Sequence, residues 1–242
     1  MNEVKFVFQR TEMKYLLNPE QFRGMERITE KYMSPDAYGK YTIGNIYFDN
    51  DRFELIRNSI EKPVYKEKLR LRCYGVPTDS DAVYLEIKKK FKGVVGKRRM
   101  KFTAADAYAY LNYAVAPPDS DTQIFKELDY FISHYKPVPQ VYLAYDREAF
   151  ASDIDTELRI TFDHNVRYRT DDLDVRHGDR GKLLLDEDRY LMEIKALGAV
   201  PLWLSRALGD MEVFPASFSK IGEVYKKEKL FNGTEEKICL KV

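Results

Sequence analysis

The 242-residue sequence is poor in cysteine and histidine and has no excess of charge of either sign. Its two cysteines, Cys73 and Cys239, lie far apart without the spacing of a metal site, which favours a reduced, cytoplasmic protein. The first residues carry charges where a signal peptide needs an apolar core. No apolar run reaches the roughly 18 to 20 residues of a membrane span, so we expect no span, and attachment to a membrane protein stays open.

The charge balance limits the kind of partner. The chain has 40 Lys and Arg residues and 39 Asp and Glu residues. The resulting net charge of +1 gives no whole-surface attraction to nucleic acid or anionic membrane. A binding site for anions must therefore be local. Hydrophobic residues make up 44% of the chain, enough for a sizeable core, and the lack of linkers and repeats predicts one domain over residues 1–242.

Capping residues and periodicity predict five helices. Asn18 and Gln21 form a capping box around Pro19, so a helix should begin there and run to about Tyr32. A second helix should begin at Thr103, and a third should cover Thr122 to His134. Two further helices are expected from Leu202 to Met211 and from Phe218 to Lys229. These helices leave long stretches between them for strands.

Eight segments with alternating polarity fill those stretches. They are Arg10 to Lys14, Gly44 to Asp49, Lys66 to Tyr74, Val83 to Lys89, Gly96 to Phe102, Val141 to Arg147, Leu158 to Asp163 and Tyr190 to Lys195. No helix is placed regularly between them, which argues against a doubly wound parallel sheet. The sequence thus predicts an α+β fold, a closed antiparallel eight-stranded β-barrel with helices packed on the outside.

Charged residues recur on the polar face of these strands. Lys68, Arg70 and Arg72 alternate with leucines, and Glu86 with Lys88 and Glu193 with Lys195 each flank an isoleucine. Lys97, Arg99, Tyr145, Arg147, Arg159, Thr161 and Asp163 extend the pattern. Any one strand of this kind is ordinarily a solvated outer face. Taken together, with helices covering the other face, the rows predict a charged lumen.

A lumen with many cations is expected to bind a polyanion, because buried like charges repel and lose hydration. Arginine forks match phosphate oxygens, and lysine adds point charge that tolerates a sliding phosphate chain. Glutamates among these cations suit Mg²⁺ or Mn²⁺, which also bridges phosphate oxygens. We assign Glu12, Glu86 and Glu193 to this metal-binding group.

An ordered set of short motifs resembles the polyphosphate polymerase domain of the vacuolar transporter chaperone (VTC) proteins, within the CYTH-like triphosphate tunnel metalloenzymes. The motifs span nearly the whole chain. They are Arg10-x-Glu12-x-Lys14-Tyr15, Tyr47-Phe48-Asp49, Lys68-Leu-Arg70-Leu-Arg72-x-Tyr74-Gly75, Leu85-Glu86-Ile87-Lys88, Lys97-Arg98-Arg99, Tyr145-Asp146-Arg147, Leu158-Arg159-Ile160-Thr161-Phe162-Asp163, Met192-Glu193-Ile194-Lys195 and Ser217-x-Ser219-Lys220.

The resemblance implies a tunnel in which a divalent metal assists transfer of the ATP γ-phosphate to polyphosphate. It implies that Lys14, Arg70, Arg72, Lys88, Lys97, Arg147, Arg159 and Lys220 bind phosphate and that Glu193 binds the metal. Tyr145 and Ser219 match accessory phosphate contacts, and Arg99 and Lys195 lie on the same faces. In contrast to the larger fungal members, we expect no attached regulatory domain.

Three functions remain open on the sequence alone. The first is an ATP-dependent polyphosphate polymerase, and the second is a triphosphatase that uses the same residues but admits water. The third is a non-catalytic module that binds polyphosphate, pyrophosphate, nucleotide or another small polyanion. The same basic residues serve all three, and the oligomeric state stays open.

Overall fold

The computed structural model describes residues 10–61, 63–92, 94–118, 120–152 and 157–231. Cys239 and the first nine residues of the chain lie outside these ranges. Among the described residues, no helix is long and apolar enough to cross a membrane. Cys73 is a buried free thiol.

Helices and strands alternate irregularly along the chain. The helices are α1 (Pro19–Tyr32), α2 (Glu54–Glu61), α3 (Ala104–Tyr113), α4 (Gln123–Tyr135), α5 (Leu202–Asp210) and α6 (Lys220–Tyr225), which continues as a π-helical segment, Lys226–Phe231. The strands are β1 (Arg10–Leu17), β2 (Ser34–Asp49), β3 (Tyr65–Tyr74), β4 (Ala82–Phe91), β5 (Val94–Thr103), β6 (Val138–Ala151), β7 (Arg159–Arg169), β8 (Lys182–Leu183) and β9 (Tyr190–Leu197).

The strands are hydrogen-bonded in the order β1-β9-β7-β6-β2-β3-β4-β5, with the short β8 beside β7. Every pair whose register is resolved is antiparallel. All eight predicted strands are confirmed, and β8 is additional. The predicted antiparallel sheet with helices is thus confirmed. The strand order begins at β1 and ends at β5, without a recorded pair between these two strands among the described residues, so closure into a barrel stays a prediction.

The chain divides into two compact units. The first comprises Met1–Tyr41, Asp146–Asn165 and Leu185–Phe218. One face of its strands is apolar and packs under α1 and α5. Its core residues include Tyr15, Leu17, Met25, Ile160, Phe162, Met192, Ile194 and Leu204, all at most 2% exposed. Because strand side chains alternate, Lys14 of β1, Thr161 of β7 and Glu193 of β9 lie on the opposite face.

The second unit comprises Thr42–Tyr145, Val166–Leu184 and Ser219–Val242. Its sheet buries a row of aliphatic residues under α3 and α4, where each fully buried Leu or Ile contributes about 1.5–3 kcal/mol. The row includes Leu69, Leu71, Leu85 and Ile87, all fully buried. Lys68, Arg70 and Arg72 consequently lie on the opposite face of β3. The single-domain organisation of residues 1–242 stays a prediction.

The predicted helix starts are confirmed where the cap is local. Asn18 and Gln21 form the expected capping box at α1, and Thr103 and Thr122 cap α3 and α4. The last predicted helix begins at Lys220 rather than near Phe218, because the Ser219 hydroxyl accepts the N–H of the first turn. Helix α2 was missed by sequence analysis.

Candidate functional site

Charged residues of the second unit form three rows across its strands. Tyr47, Arg70, Glu86 and Arg99 are directly opposite one another on β2, β3, β4 and β5. Asn45, Arg72 and Tyr84 form the next row on one side, and Lys68, Lys88 and Lys97 form the row on the other. We call these residues, with Tyr145, Ser219 and Lys220, the Glu86 cluster.

Glu86 is the most buried charge of this cluster, with a side chain only 1% exposed. Arg70 donates to Glu86 Oε2 from Nε at 2.7 Å and from Nη2 at 2.7 Å. Glu86 Oε1 accepts from Lys97 Nζ at 2.9 Å and closely from Arg99 Nε. Burial acts to raise the pKa of the Glu86 carboxyl, but Arg70, Arg72 and Lys97 outweigh it and lower that pKa to about 2.

The Glu86 carboxylate therefore has its lone pairs occupied by three cations. An extra cation would have to displace them, which argues against a metal on this side chain. The same contacts fix the arginine forks of Arg70 and Arg99. Arg70 also donates from Nη1 to Tyr47 Oη at 3.3 Å, and although burial acts to raise the pKa of Tyr47, Arg70 outweighs it and lowers that pKa.

Arg72 is buried without an opposing carboxylate. It is 8% exposed, and its guanidinium donates to Asn45 Oδ1 at 3.0 Å and to Tyr145 Oη at 3.2 Å. Within the described ranges no ion pair is formed by this side chain. The Lys220 ammonium lies over the Tyr145 ring at 4.4 Å from its centroid. Neutral partners keep the positive charge of Arg72 available to an anion.

The row Lys68, Lys88 and Lys97 places three lysines directly opposite one another on β3, β4 and β5. Like charges directly opposite one another on neighbouring strands are destabilising. Lys68 donates to Ser219 Oγ at 3.3 Å, the same oxygen that accepts the Gly222 N–H at 3.3 Å. Burial is the main cause that lowers the pKa of Lys97, with repulsion from nearby arginines in addition. The row is an arrangement that a bound polyanion would stabilise.

The first unit carries a second set of charges on the polar face of β1, β9 and β7. Lys14, Glu193 and Thr161 are opposite one another in one row, and Glu12, Lys195 and Arg159 form the next. We call these six residues, with Arg147 and Asp163, the Glu193 cluster.

Glu193 is buried among cations at longer distances than those at Glu86. Its side chain is 9% exposed, with Lys14 Nζ at 3.4 Å from Oε1, and Lys195 Nζ at 3.8 Å and Arg147 Nη2 at 4.0 Å from Oε2. Lys14 also lies 3.7 Å from Glu12 Oε1 and donates to the Phe218 carbonyl at 3.1 Å. These cations offset the charge of Glu193 without closing around it as tightly as those at Glu86.

Arg147 is held in place by a residue to which sequence analysis gave no role. It donates from Nε and Nη2 to the two oxygens of fully buried Asp163, at 2.6 Å and 2.8 Å. A paired fork of this kind fixes the plane of a guanidinium. Arg159, by contrast, is an exposed end residue of β7.

The oxygen atoms around Glu193 fit a hard divalent cation. Mg²⁺ and Mn²⁺ prefer carboxylate and other oxygen ligands and take one or two carboxylates together with phosphate oxygens. Glu193 and Glu12 would supply the carboxylates, and both lie near Lys14. In the part of the chain that the structure describes, no three His, Cys, Asp or Glu side chains converge as metal ligands. Further ligands would therefore come from other oxygen atoms.

The structure groups the predicted site residues within each unit. Arg70, Arg72, Lys88, Lys97, Arg99, Tyr145, Ser219, Lys220 and Glu86 belong to the Glu86 cluster, and Glu12, Lys14, Arg147, Arg159, Glu193 and Lys195 belong to the Glu193 cluster. Sequence analysis gave no role to Asn45, Tyr47 and Thr161. Tyr47 lies in a quoted motif and Thr161 on a charged strand face, but their partners depend on strand register.

Comparison with known proteins identifies related chains. The model of the VTC domain family matches residues 9–227. Subunit 4 of the vacuolar transporter chaperone complex of Trypanosoma brucei brucei is 26% identical over 177 residues, covering 60% of this chain and 22% of the relative. Subunit 2 of the Saccharomyces cerevisiae complex is 26% identical over 204 residues, covering 74% of this chain and 24% of the relative. The chain thus spans about a quarter of the length of these curated relatives.

Solved structures share the fold at low sequence identity. A candidate adenylate cyclase from Bacillus halodurans superposes with a TM-score of 0.54 at 15% identity, over 87% of this chain and 95% of the other. A candidate adenylyl cyclase from Hippeastrum, described as having a dominant triphosphatase activity, has a TM-score of 0.51 at 12% identity, over 87% of this chain and 92% of the other. At these identities the likeness concerns the fold alone.

Proposed function

Because this chain belongs to the VTC domain family, we propose that it is a metal-dependent polyphosphate polymerase with ATP as phosphoryl donor. The observation that carries the proposal is the row Lys68, Lys88 and Lys97 beside the buried Arg72. Lysines directly opposite one another on neighbouring strands repel, and an extended polyanion bound along the row would reduce that repulsion. The resemblance to this family implies polyphosphate synthesis, and the relatives are named as subunits of a vacuolar transporter chaperone complex.

The proposed reaction joins a terminal oxygen of polyphosphate to the γ-phosphorus of ATP. The bond from that phosphorus to the β–γ bridging oxygen breaks, and the oxygen leaves with ADP. Such a transfer needs alignment and neutralised charge rather than a nucleophile from the protein. Arg70 and Arg72 are suited to grip phosphate oxygens in pairs, and the lysine row holds a phosphate chain by charge.

The Glu193 cluster contains the residues of the first unit that we propose for binding phosphate and the metal. Lys14, Arg147 and Arg159 bind phosphate oxygens, and Asp163 keeps the Arg147 fork in plane. Glu193 and Glu12 hold Mg²⁺ or Mn²⁺, which when bound neutralises charge on the phosphate oxygens. Glu86 has a different part in the proposal, namely to orient Arg70 and Arg99.

Incubation of the purified chain with ATP and Mn²⁺ tests the proposal. Phosphorus NMR separates internal phosphates of a polymer from free orthophosphate. We expect polymer and ADP, a strong loss of both in Arg72→Ala, and wild-type activity in Arg98→Ala, because Arg98 pairs with Glu127 instead of facing the cluster. Orthophosphate without polymer would contradict the polymerase and indicate a triphosphatase. Tight binding of polyphosphate without turnover would contradict both enzymes and indicate a polyphosphate-binding module.

Cellular location and partners are part of the proposal as well. We propose a cytoplasmic protein that associates with membrane proteins, since its relatives are subunits of a complex. Co-purification from cells of the source organism, followed by identification of the bound proteins, tests this association. Recovery of the chain alone would contradict it.

A further inference from the structure

A buried hydroxyl group on the charged face of the first unit has no partner. Thr161 is 7% exposed, and its Oγ1 neither donates nor accepts a hydrogen bond within the described residues. Burying a hydroxyl without a hydrogen bond costs free energy, whereas valine would fill nearly the same volume without that cost. A threonine at this position therefore needs an explanation other than packing.

The position of Thr161 distinguishes it from the other side chains that have a buried polar atom without a hydrogen-bond partner. Buried side-chain atoms without a partner, counted over the described ranges, belong to Tyr142, Thr161 and His164. Tyr142 lies in the apolar core of the second unit. His164 alternates with Ile160 and Phe162 and so belongs to the apolar side of β7. Thr161 alone of the three lies on the face that carries the predicted ligands.

The neighbour of Thr161 across the strand pair is Glu193. The two residues are direct partners in the antiparallel register of β7 and β9. Side chains in such pairs have Cβ atoms about 4.5–5.5 Å apart, close enough for both to bind one small ion. On its other side Glu193 faces Lys14 of β1. A hydroxyl oxygen and a carboxylate thus lie side by side in a buried row.

We propose that the Thr161 hydroxyl is a further oxygen ligand of the divalent cation that Glu193 binds. The inference rests on the proposed function, which requires that cation. A hydroxyl suits Mg²⁺ and Mn²⁺, and it supplements carboxylates where no third acidic or imidazole side chain converges among the described residues. It also adds no negative charge that would repel phosphate. The otherwise costly hydroxyl is then satisfied only in the loaded protein.

Thermal melts with tripolyphosphate test this assignment without measuring activity. Each variant is melted without ligand, with tripolyphosphate and EDTA, and with tripolyphosphate and Mn²⁺, and the additional shift caused by Mn²⁺ is recorded. Thr161→Val removes the hydroxyl and keeps the shape, and Thr161→Ser keeps the hydroxyl. Thr29→Val is the matched control, because buried Thr29 already donates to the Met25 carbonyl at 2.7 Å.

We expect Thr161→Val to lose at least half of the additional Mn²⁺ shift and to melt no lower than the wild type without ligand, because it removes a stranded hydroxyl. Thr161→Ser and Thr29→Val should keep the Mn²⁺ shift. Thr161→Cys should prefer Cd²⁺ over Mn²⁺, because a thiolate is a soft ligand. That exchange of metal preference would not follow from a purely structural role.

Several results would overturn the assignment. An undiminished Mn²⁺ shift in Thr161→Val would exclude the hydroxyl from the metal, as would the lack of any Mn²⁺ shift in the wild type. If Thr161→Val instead loses the thermal shift that tripolyphosphate gives in EDTA, the hydroxyl binds phosphate and not the metal. Failure of the proposed function is a separate outcome, because it appears as no polymer from ATP whatever the behaviour of the Thr161 variants.

Discussion

The tripeptide Glu-Ile-Lys occurs in a strand of both units, and its glutamate has different surroundings in each. Glu86 lies between Arg70 and Arg99 on the neighbouring strands, with hydrogen bonds of 2.7 Å from Arg70 and 2.9 Å from Lys97. Glu193 lies between Lys14 and Thr161, and its cations are 3.4–4.0 Å away. Strand register, rather than the motif, therefore separates a carboxylate that holds arginines from one that suits a metal.

Removal of the two carboxylates should affect stability unequally. Glu86→Gln leaves three cations without their counter-ion, and we expect the free energy of unfolding to fall by about 2–4 kcal/mol, less than for a fully buried pair because Lys97 is partly exposed. Glu193→Gln removes ion pairs of 3.4–4.0 Å and should cost less than Glu86→Gln. Urea denaturation at pH 7 in EDTA measures both values. Equal losses would remove the distinction between the clusters.

The same contrast predicts a pH dependence. The pKa of Glu86 is about 2 in the folded chain and 4.5 ordinarily, so its ionised form stabilises the fold fully above about pH 4.5. That contribution, about 3 kcal/mol, should disappear as the pH falls from 4.5 towards 2. Denaturation of the wild type and Glu86→Gln across this range should give stabilities that converge at the acid end. Parallel curves would show that Glu86 is not held by these cations.

Two adjacent arginines on one face sharpen the comparison within the Glu86 cluster. We expect Arg70→Ala and Arg72→Ala each to weaken tripolyphosphate binding by about 1.5–3 kcal/mol, the scale of a charge-assisted hydrogen bond. Of the two variants, only Arg70→Ala should also lower stability by more than about 1 kcal/mol, because Arg70 forms an ion pair with Glu86 and Arg72 hydrogen-bonds to neutral side chains. Calorimetric titration and urea denaturation measure the two effects. Unchanged tripolyphosphate affinity in both variants would contradict a charged binding face.

The smallest effect is expected on the other side of β5. Arg99 contacts Glu86, whereas Arg98 pairs with Glu127 of α4 at 3.1 Å and is half exposed. Arg98→Ala should change stability by no more than about 1 kcal/mol and tripolyphosphate affinity by less than about twofold. Arg99→Ala should weaken binding clearly. A larger effect of Arg98 than of Arg99 on affinity would reverse the assignment of faces.

Local signals explain the parts of the fold that sequence could predict. The helix starts at Asn18, Thr103 and Thr122 depend on hydrogen bonds to residues three positions away, and strand faces depend on simple alternation. At helix α2 the first N–H donates four positions back, from Glu54 to Asn50 Oδ1 at 3.2 Å. Its Leu55 and Ile56 N–H groups donate to Asp49, at 3.0 Å and 2.8 Å, from the end of β2. A cap supplied from that distance leaves no short motif to recognise.

For the candidate site, the sequence predicts which strand face each residue occupies, but not which residues it contacts. Alternation was enough to place Glu86 and Glu193 among cations. The pairs formed with Arg70 and with Thr161 require the register of β3 on β4 and of β7 on β9. Register depends on loops and on packing of the opposite face, neither of which can be read from a single strand. For that reason alternation alone predicts one metal-binding group of three glutamates and gives no sign of the unpartnered Thr161 hydroxyl.

The different parts assigned to Glu86 and Glu193 are tested most directly by the additional thermal shift that Mn²⁺ gives to the tripolyphosphate complex. Glu193→Gln should lose this additional shift and keep most of the shift measured in EDTA, because it removes a metal ligand and no cation. Glu86→Gln should melt lower without ligand and keep the additional Mn²⁺ shift. Loss of the Mn²⁺ shift in Glu86→Gln together with its retention in Glu193→Gln would contradict the account.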